Sequence, residues 1–219
     1  MKISSTEENY LKAIFHLCEE SQKNVTSTNT LAADLDIRPA SVSAMLKKLK
    51  EKKLINYEKY GDVKLATLGK EIAVGIIRKH RLWEVFLVDT LGFTWDEVHE
   101  LAEQLEHIKS TKLIDKLDAF LLYPKLDPHG DPIPSAKGEI KKINRIRLNE
   151  ACAGEKYEIV GVSDTSSQLL QFLIKQNIGL GTKIEVIHIH ELDASALVQL
   201  SNGKRITITL EAAKSIQVI

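Results

Sequence analysis

The chain has 219 residues, 43% hydrophobic and 27% charged, which is ordinary for a soluble globular protein and enough for two domains with a smaller third. Its 30 Lys and Arg balance its 30 Asp and Glu, and this zero formal net charge excludes a uniformly basic nucleic-acid binder. No run approaches the roughly 18 apolar residues of a membrane span, and the first residues lack a signal-peptide core, so a cytoplasmic protein with no membrane partner is expected.

Residues 6–19 predict an amphipathic helix, with Tyr10, Leu11, Ile14, Phe15, Leu17 and Cys18 at helical spacing. Ser27 or Thr28 can cap a short second helix ending at Leu35, which buries Leu31, Ala32 and Leu35. After the break at Asp36-Ile37-Arg38-Pro39 a third helix is expected over 40–52, with Val42, Met45, Leu46 and Leu49 as its apolar stripe. Residues 54–58 and 63–67 then read as short strands joined by Lys59-Tyr60-Gly61-Asp62. Helices followed by a hairpin are the order of a winged helix-turn-helix. The local charge agrees, with nine basic residues between Arg38 and Lys70 against three acidic ones. Thr28, Arg38, Pro39, Ser41, Ser43, Lys47, Lys48 and Lys59 are therefore the candidate DNA-facing residues, with the third helix in the major groove. The bland alternative is a small α+β domain with no DNA role.

A long helix is expected over 67–91, followed by helices over 94–108 and 110–122, a largely apolar block with a candidate dimer surface. Residues 123–134 carry four prolines and Gly130, a loop or linker, and 137–149 are charged and helical at best. From about Glu155 the pattern turns to strands, at 157–162, 183–190, 196–200 and 205–210, with a helix over 166–176 and a hairpin signal at Asn202-Gly203. The chain is thus expected to be mainly α with a small β domain, divided at 1–72, 73–150 and 151–219. Cys18 and Cys152 are far apart and form no CxxC pair, which indicates neither a disulfide framework nor a zinc knuckle.

The most informative stretch is 98–108. On a continuous helix at about 100° per residue, His99, Glu103, Glu106 and His107 fall within an arc of about 100°, opposite Val98, Leu101, Leu105 and Ile108. Two imidazoles and two carboxylates supply most of a divalent-cation site; a solvated helix face is the bland alternative. His80 and Glu84, four residues apart on the preceding helix, add a second chelating pair. Carboxylate and imidazole without thiolate suit Mn²⁺ or Fe²⁺, although Zn²⁺, Co²⁺ or Ni²⁺ also bind such donors. The spacing is not HExxH, so a zinc protease lacks its motif.

Five segments together carry a resemblance: Glu8-Asn9-Tyr10-Leu11-Lys12-Ala13-Ile14, Ser41-Val42-Ser43, Leu65-Ala66-Thr67-Leu68-Gly69, Arg78-Lys79-His80-Arg81-Leu82, and Glu97-Val98-His99 through Leu105-Glu106-His107. The chain resembles the DtxR/MntR family of metal-dependent transcriptional repressors, in its three-domain, manganese-responsive branch. The resemblance implies an N-terminal winged helix, a helical metal-binding and dimerisation domain, and a C-terminal SH3-like (FeoA-like) domain. It also implies a homodimer on a palindromic operator, one or two dimers per operator, with no organic cofactor and two metal sites per subunit. By motif position, Asn9, Glu103, Glu106 and His107 match the regulatory site. His80, Glu84 and His99 match the ancillary site, with Asp164 and less directly Gln168 reaching in from the C-terminal domain. Two departures stand out: Asn9 takes the place of the usual Asp or Met, and Asp127-Pro128-His129-Gly130 replaces the Cys-Pro-His-Gly of several relatives.

Two other classes are open to the same residues. A helical-bundle metalloenzyme uses the carboxylates and imidazoles for a catalytic ion, but it lacks paired Glu-x-x-His motifs and leaves the basic region idle. A winged-helix regulator with an organic effector leaves those side chains merely on the surface.

Overall fold

The computed structural model describes residues 2–21, 23–58, 61–163 and 166–219. The chain divides into two compact units. The first comprises Met1–His80, Leu105–Ser110 and Pro134–Glu139; the second comprises Arg81–Gln104, Thr111–Ile133 and Ile140–Ile219.

The first unit opens with helix α1 (Ser5–Glu20), nucleated by a capping box. Glu7 N donates to Ser4 Oγ, and the Glu7 carboxylate reaches back to Ser4 N at 2.9 Å, so two N-terminal donors are satisfied at once. Leu11 and Ile14 on its inner face are fully buried. Helix α2 (Thr28–Asp34) is capped by Ser27 Oγ, which accepts from Thr30 N at 3.0 Å. Helix α3 (Pro39–Glu51) starts on Pro39, whose missing N–H costs nothing in a first turn. Val42, Leu46 and Leu49 seal its inner face, while Lys48 and Lys50 in the last turn complement the negative end of its dipole. Strands β1 (Ile55–Tyr57) and β2 (Val63–Leu65) form an antiparallel hairpin with Asn56 opposite Lys64. This is the expected helix–helix–hairpin order. The close of the hairpin packs against the start of helix α4 (Thr67–Asp89), where a Cβ on Gly69 would lie 2.0 Å from the Leu54 carbonyl oxygen.

In the second unit α4 runs on to Asp89 and is followed by α5 (Val98–Leu105) and α6 (Thr111–Phe120). The helix expected over 94–108 is therefore shorter at both ends. At its start Glu97 folds back, its carboxylate accepting Thr94 N at 2.9 Å and Thr94 Oγ1 at 2.7 Å, so residues 94–97 form a turn. At its end Glu106 and His107 lie in the turn after Leu105. The C-terminal residues build a six-stranded antiparallel sheet of order β3-β8-β4-β5-β6-β7, from β3 (Ile146–Arg147), β4 (Lys156–Val162), β5 (Lys183–Ile189), β6 (Ala196–Leu200), β7 (Arg205–Ile208) and β8 (Ile216–Val218). Helices α7 (Ser167–Gln176) and α8 (Leu210–Ser215) accompany it. Leu170, Leu173, Val186, Val198, Ile208, Ile216 and Val218 form its core, with Trp95 packed against the edge.

Three details differ from the sequence expectation. Segment 137–149 contains strand β3 rather than a helix, and α8 and β8, six and three residues long, were not anticipated. Elements this short carry less than two turns of helical period, or one repeat of strand alternation, so the pattern gives no signal. Among the described residues no helix is long and apolar enough to cross a membrane.

The proline-rich loop is pinned to the C-terminal sheet. The His129 carbonyl accepts Val162 N at 2.9 Å, and Gly130, at φ +90°, presses so close that a Cβ would sit 2.1 Å from the Val160 carbonyl oxygen. Gly130→Ala combines an unfavourable backbone region with this clash, and should cost roughly 2–4 kcal/mol. A drop in the thermal unfolding midpoint of the variant measures it; an unchanged midpoint would mean the loop relaxes freely.

Candidate metal centre

Helix α4 carries Glu84 into the second unit, where the side chain is buried. His99, one residue into α5, lies between two carboxylates, with Nδ1 3.5 Å from Glu84 Oε1 and Nε2 3.7 Å from Glu103 Oε1. From the other side the proline-rich loop delivers Asp127 and His129, both buried. Glu84, Asp127 and His129 each offer a ligand atom within 4.8 Å of the others.

The loop shapes this cluster through its own backbone. Asp127 Oδ1 accepts the N–H groups of His129 and Asp131, each at 2.9 Å, which closes a tight turn. Its other oxygen faces Arg81 Nε at 3.3 Å. Arg81 and Arg145 hold the far end of the turn through Asp131, at 3.2 and 2.7 Å. The His129 ring stacks on Trp95, and its Nε2–H donates to the Trp95 carbonyl at 2.9 Å. That bond orients the ring and leaves Nδ1 facing Glu84 Oε1, 3.7 Å away, the arrangement that prepares an imidazole for an ion.

The charges in the cluster are not balanced. Burial, with repulsion from Glu84 and Asp131, pushes the Asp127 carboxyl well above the usual carboxylate range despite Arg81. Burial acts to lower the His129 pKa, but hydrogen bonding and charge from Glu84, with the charge of Asp127, outweigh it and raise the value.

The first unit holds a second constellation. Glu106 is fully buried, and Lys12 Nζ donates to both its oxygens at 2.8 Å. His80 Nδ1 lies 2.6 Å from Glu106 Oε2. Burial alone pushes the Glu106 carboxyl up, but the His80 hydrogen bond and the Lys12 charge bring it below its ordinary value. Beside it His107 Nδ1 donates to Glu8 Oε2 at 2.6 Å. Asn9, on the same turn of α1 as Glu8, has its side-chain oxygen buried with no hydrogen-bond partner among the described residues.

The four residues expected on one continuous helix thus lie on α5 and on the turn that follows it. His99 and Glu103 lie on α5, which ends at Leu105, and in the following turn Glu106 meets His80 of α4 and Lys12 of α1 while His107 meets Glu8 of α1. The reading of Asp127 as a mere departure missed that it joins Glu84, and His129 was not singled out at all. Glu8 and Lys12 were also missed as participants, although both lie in the segment that carries the resemblance. Asp164 and Lys59 lie outside the described residues. Gln168 is exposed near the start of α7.

The candidate DNA face is α3 and its approach. Arg38, Pro39, Ser41 and Lys47 are exposed, while Ser43 and, at the start of α2, Thr28 are half-buried. Lys48 is shared, its Nζ 3.3 Å from Glu7 Oε1. Lys52 binds the same carboxylate at 2.7 Å, so Glu7 is a buried anion clamped to the recognition helix.

The donors fit a hard divalent cation. Carboxylates, imidazoles and the unpartnered Asn9 amide oxygen are the ligand types of Mn²⁺ and Fe²⁺, and neither constellation contains a thiolate.

Comparison with known proteins agrees with this geometry over the whole chain. Residues 2–63 match the family profile described as iron dependent repressor, N-terminal DNA binding domain; residues 67–135 match iron dependent repressor, metal binding and dimerisation domain; and residues 146–219 match the FeoA domain. The iron-dependent repressor IdeR of Mycobacterium bovis is 30% identical over 166 residues, covering 73% of this chain and 71% of that protein. A manganese-dependent transcriptional repressor in complex with manganese superposes with a TM-score of 0.89 at 33% identity, covering 97% of this chain and 99% of the other. ScaR with bound Cd²⁺ gives a TM-score of 0.81 at 32% identity, covering 97% and 98%. With a winged helix, buried hard-donor clusters and a C-terminal β unit in the matching order, the chain belongs to the DtxR/MntR family of metal-dependent transcriptional repressors, which are DNA-binding proteins and not enzymes.

Proposed function

We propose that this chain is a cytoplasmic, manganese- or iron-activated repressor controlling the homeostasis of the ion it binds, with functional domains at 1–72, 73–150 and 151–219. Asn9, Glu103, Glu106 and His107 are the proposed regulatory ligands, with Glu103 included on its spacing of three residues before Glu106. His80, Glu84, His99 and Asp164 are the proposed ancillary ligands, and Asp127 and His129 are added to Glu84. The observation that carries the reading is the buried Glu84–Asp127–His129 group, whose ligand atoms lie within 4.8 Å of one another. Two carboxylates held this close and out of water repel each other. When bound, a divalent ion supplies positive charge to this group beyond that of Arg81, whose Nε lies 3.3 Å from Asp127.

The chain's own residues do the rest. Glu8 ties the start of α1 to the Glu106–His107 turn through His107, and Glu7, beside it, holds Lys48 on the recognition helix and Lys52 at its C-cap. Orientation of α3 thereby follows the state of the ligand turn. Arg38, Ser41, Ser43 and Lys47, with Thr28, Pro39, Lys48 and Lys59, are the proposed operator contacts. In a homodimer the two recognition helices address half-sites one DNA turn, about 34 Å, apart. A helical-bundle enzyme leaves this face unused, and an organic effector leaves the buried hard donors unexplained.

Operator binding to the DNA upstream of the protein's own gene, measured by gel shift with Mn²⁺, with Fe²⁺ under anaerobic conditions and with chelator, tests the reading. Strong binding with ion and weak binding with chelator are expected, and Glu103→Ala should remove the stimulation while leaving a folded dimer. Equal binding in every condition rejects the proposal.

A further inference from the structure

We propose that Lys12 is a tethered counter-ion: its ammonium holds the Glu106 carboxylate in the ion-free protein, must be displaced when a divalent ion is taken up, and so sets the ion concentration at which the protein responds. The inference rests on the reading of Glu106 as a ligand.

Three observations carry it. Glu106 is fully buried, and a bare carboxylate there is too costly to persist. Lys12 Nζ stands equidistant from both oxygens at 2.8 Å, as a compact point charge rather than one end of a single hydrogen bond. Lys12 also shares a face of α1 with Asn9, three residues earlier, so the helix that offers a neutral ligand oxygen also brings its own cation to the same carboxylate. His80 bonds Glu106 from α4, and Lys12, tethered on α1, brings a positive charge to the same carboxylate.

A competitor built into the chain has a definite thermodynamic consequence. The apparent affinity for the ion is the intrinsic affinity multiplied by the fraction of molecules in which Lys12 has released Glu106, as for any pre-equilibrium that must be reversed before binding. Neutralising Lys12 therefore tightens ion binding while loosening the ion-free protein. A lysine that merely positioned Glu106 would give the opposite sign for the ion, with weaker binding and lower stability together.

The test is equilibrium Mn²⁺ binding to ion-stripped protein, read by electron paramagnetic resonance of the free ion, alongside thermal unfolding in chelator. Lys12→Gln is expected to bind Mn²⁺ about tenfold or more tightly than the native chain and to unfold at a lower temperature in chelator. Lys12→Arg, which keeps the charge, should bind no more tightly than the native chain, and it serves as the second variant if the glutamine form folds poorly. Unchanged or weaker Mn²⁺ binding by Lys12→Gln overturns the counter-ion role, alone if Glu106→Ala weakens Mn²⁺ binding and together with the reading of Glu106 as a ligand if it does not. Absence of Mn²⁺ binding by both the native chain and the variants overturns it together with the reading of Glu106 as a ligand.

Discussion

Glu106→Ala abolishes the ion response of operator binding and destabilises the ion-free protein by about 3–5 kcal/mol, the usual consequence of removing one partner from a buried charge pair. Both effects follow from its position. The carboxylate is fully buried and accepts from Lys12 while bonding His80, so its loss removes the buried anion that both side chains share. Chemical denaturation in chelator measures the stability, and ion-dependent gel shift measures the response. The contrast with Glu103 is informative, because that side chain is 36% exposed and its removal should spare stability. A Glu106→Ala protein that stays as stable as the native chain, or still answers the ion, would remove Glu106 from its assigned place.

Glu7→Gln separates ion binding from DNA binding. Glu7 touches no proposed ligand atom but holds Lys48 of α3 and Lys52 at its C-cap, while its neighbour Glu8 meets His107 at the ligand turn. Burial acts to raise its pKa, but the hydrogen bonds from Lys52, from Ser4 N and from Lys48 outweigh it and bring the value down from 4.5 to about 2. A depressed carboxyl pKa stabilises the fold above the ordinary value, and that contribution is lost as the pH falls through about 2. Glutamine retains the shape but not the charge, so about 2–3 kcal/mol of stability at neutral pH should go with it. Ion affinity, measured by calorimetry, should stay within about a factor of two, whereas the ion's enhancement of operator affinity should fall by 5-fold or more, the scale of an ordinary coupling free energy. If the enhancement survives intact, α1 does not transmit the signal through Glu7.

The fold was largely legible in the residues. Pro39 at the head of a Val42/Leu46/Leu49 stripe, and a hairpin signal following it, place the winged helix with little ambiguity. The ligands were only partly legible, for a geometric reason. Projection onto a helical wheel presumes that the helix continues, and α5 stops at Leu105, one residue before the side chain that matters most. The sequence also offered a signal that periodicity alone does not use. On the wheel of α1, Glu7 sits within about 80° of Leu11, Ile14, Phe15 and Cys18, a carboxylate in the middle of an apolar face. Such a charge is buried only with a partner, and Lys52 lies far away in the sequence, where no local pattern can point to it. Asp127 and His129 were hidden likewise, because a loop has no period; only the closed turn and its attachment to β4 bring them beside Glu84.

Asp127 in the loop cluster has a bearing on oxidants. A thiolate at that place is open to sulfenic acid formation by peroxide, which takes away a ligand just when reactive oxygen accumulates. A carboxylate has no such chemistry, and the chain's two sulfhydryls are elsewhere: Cys18 is buried against the Val63 carbonyl, and the exposed Cys152 belongs to neither constellation. The Glu84–Asp127–His129 group therefore presents peroxide with no thiolate to convert to sulfenic acid.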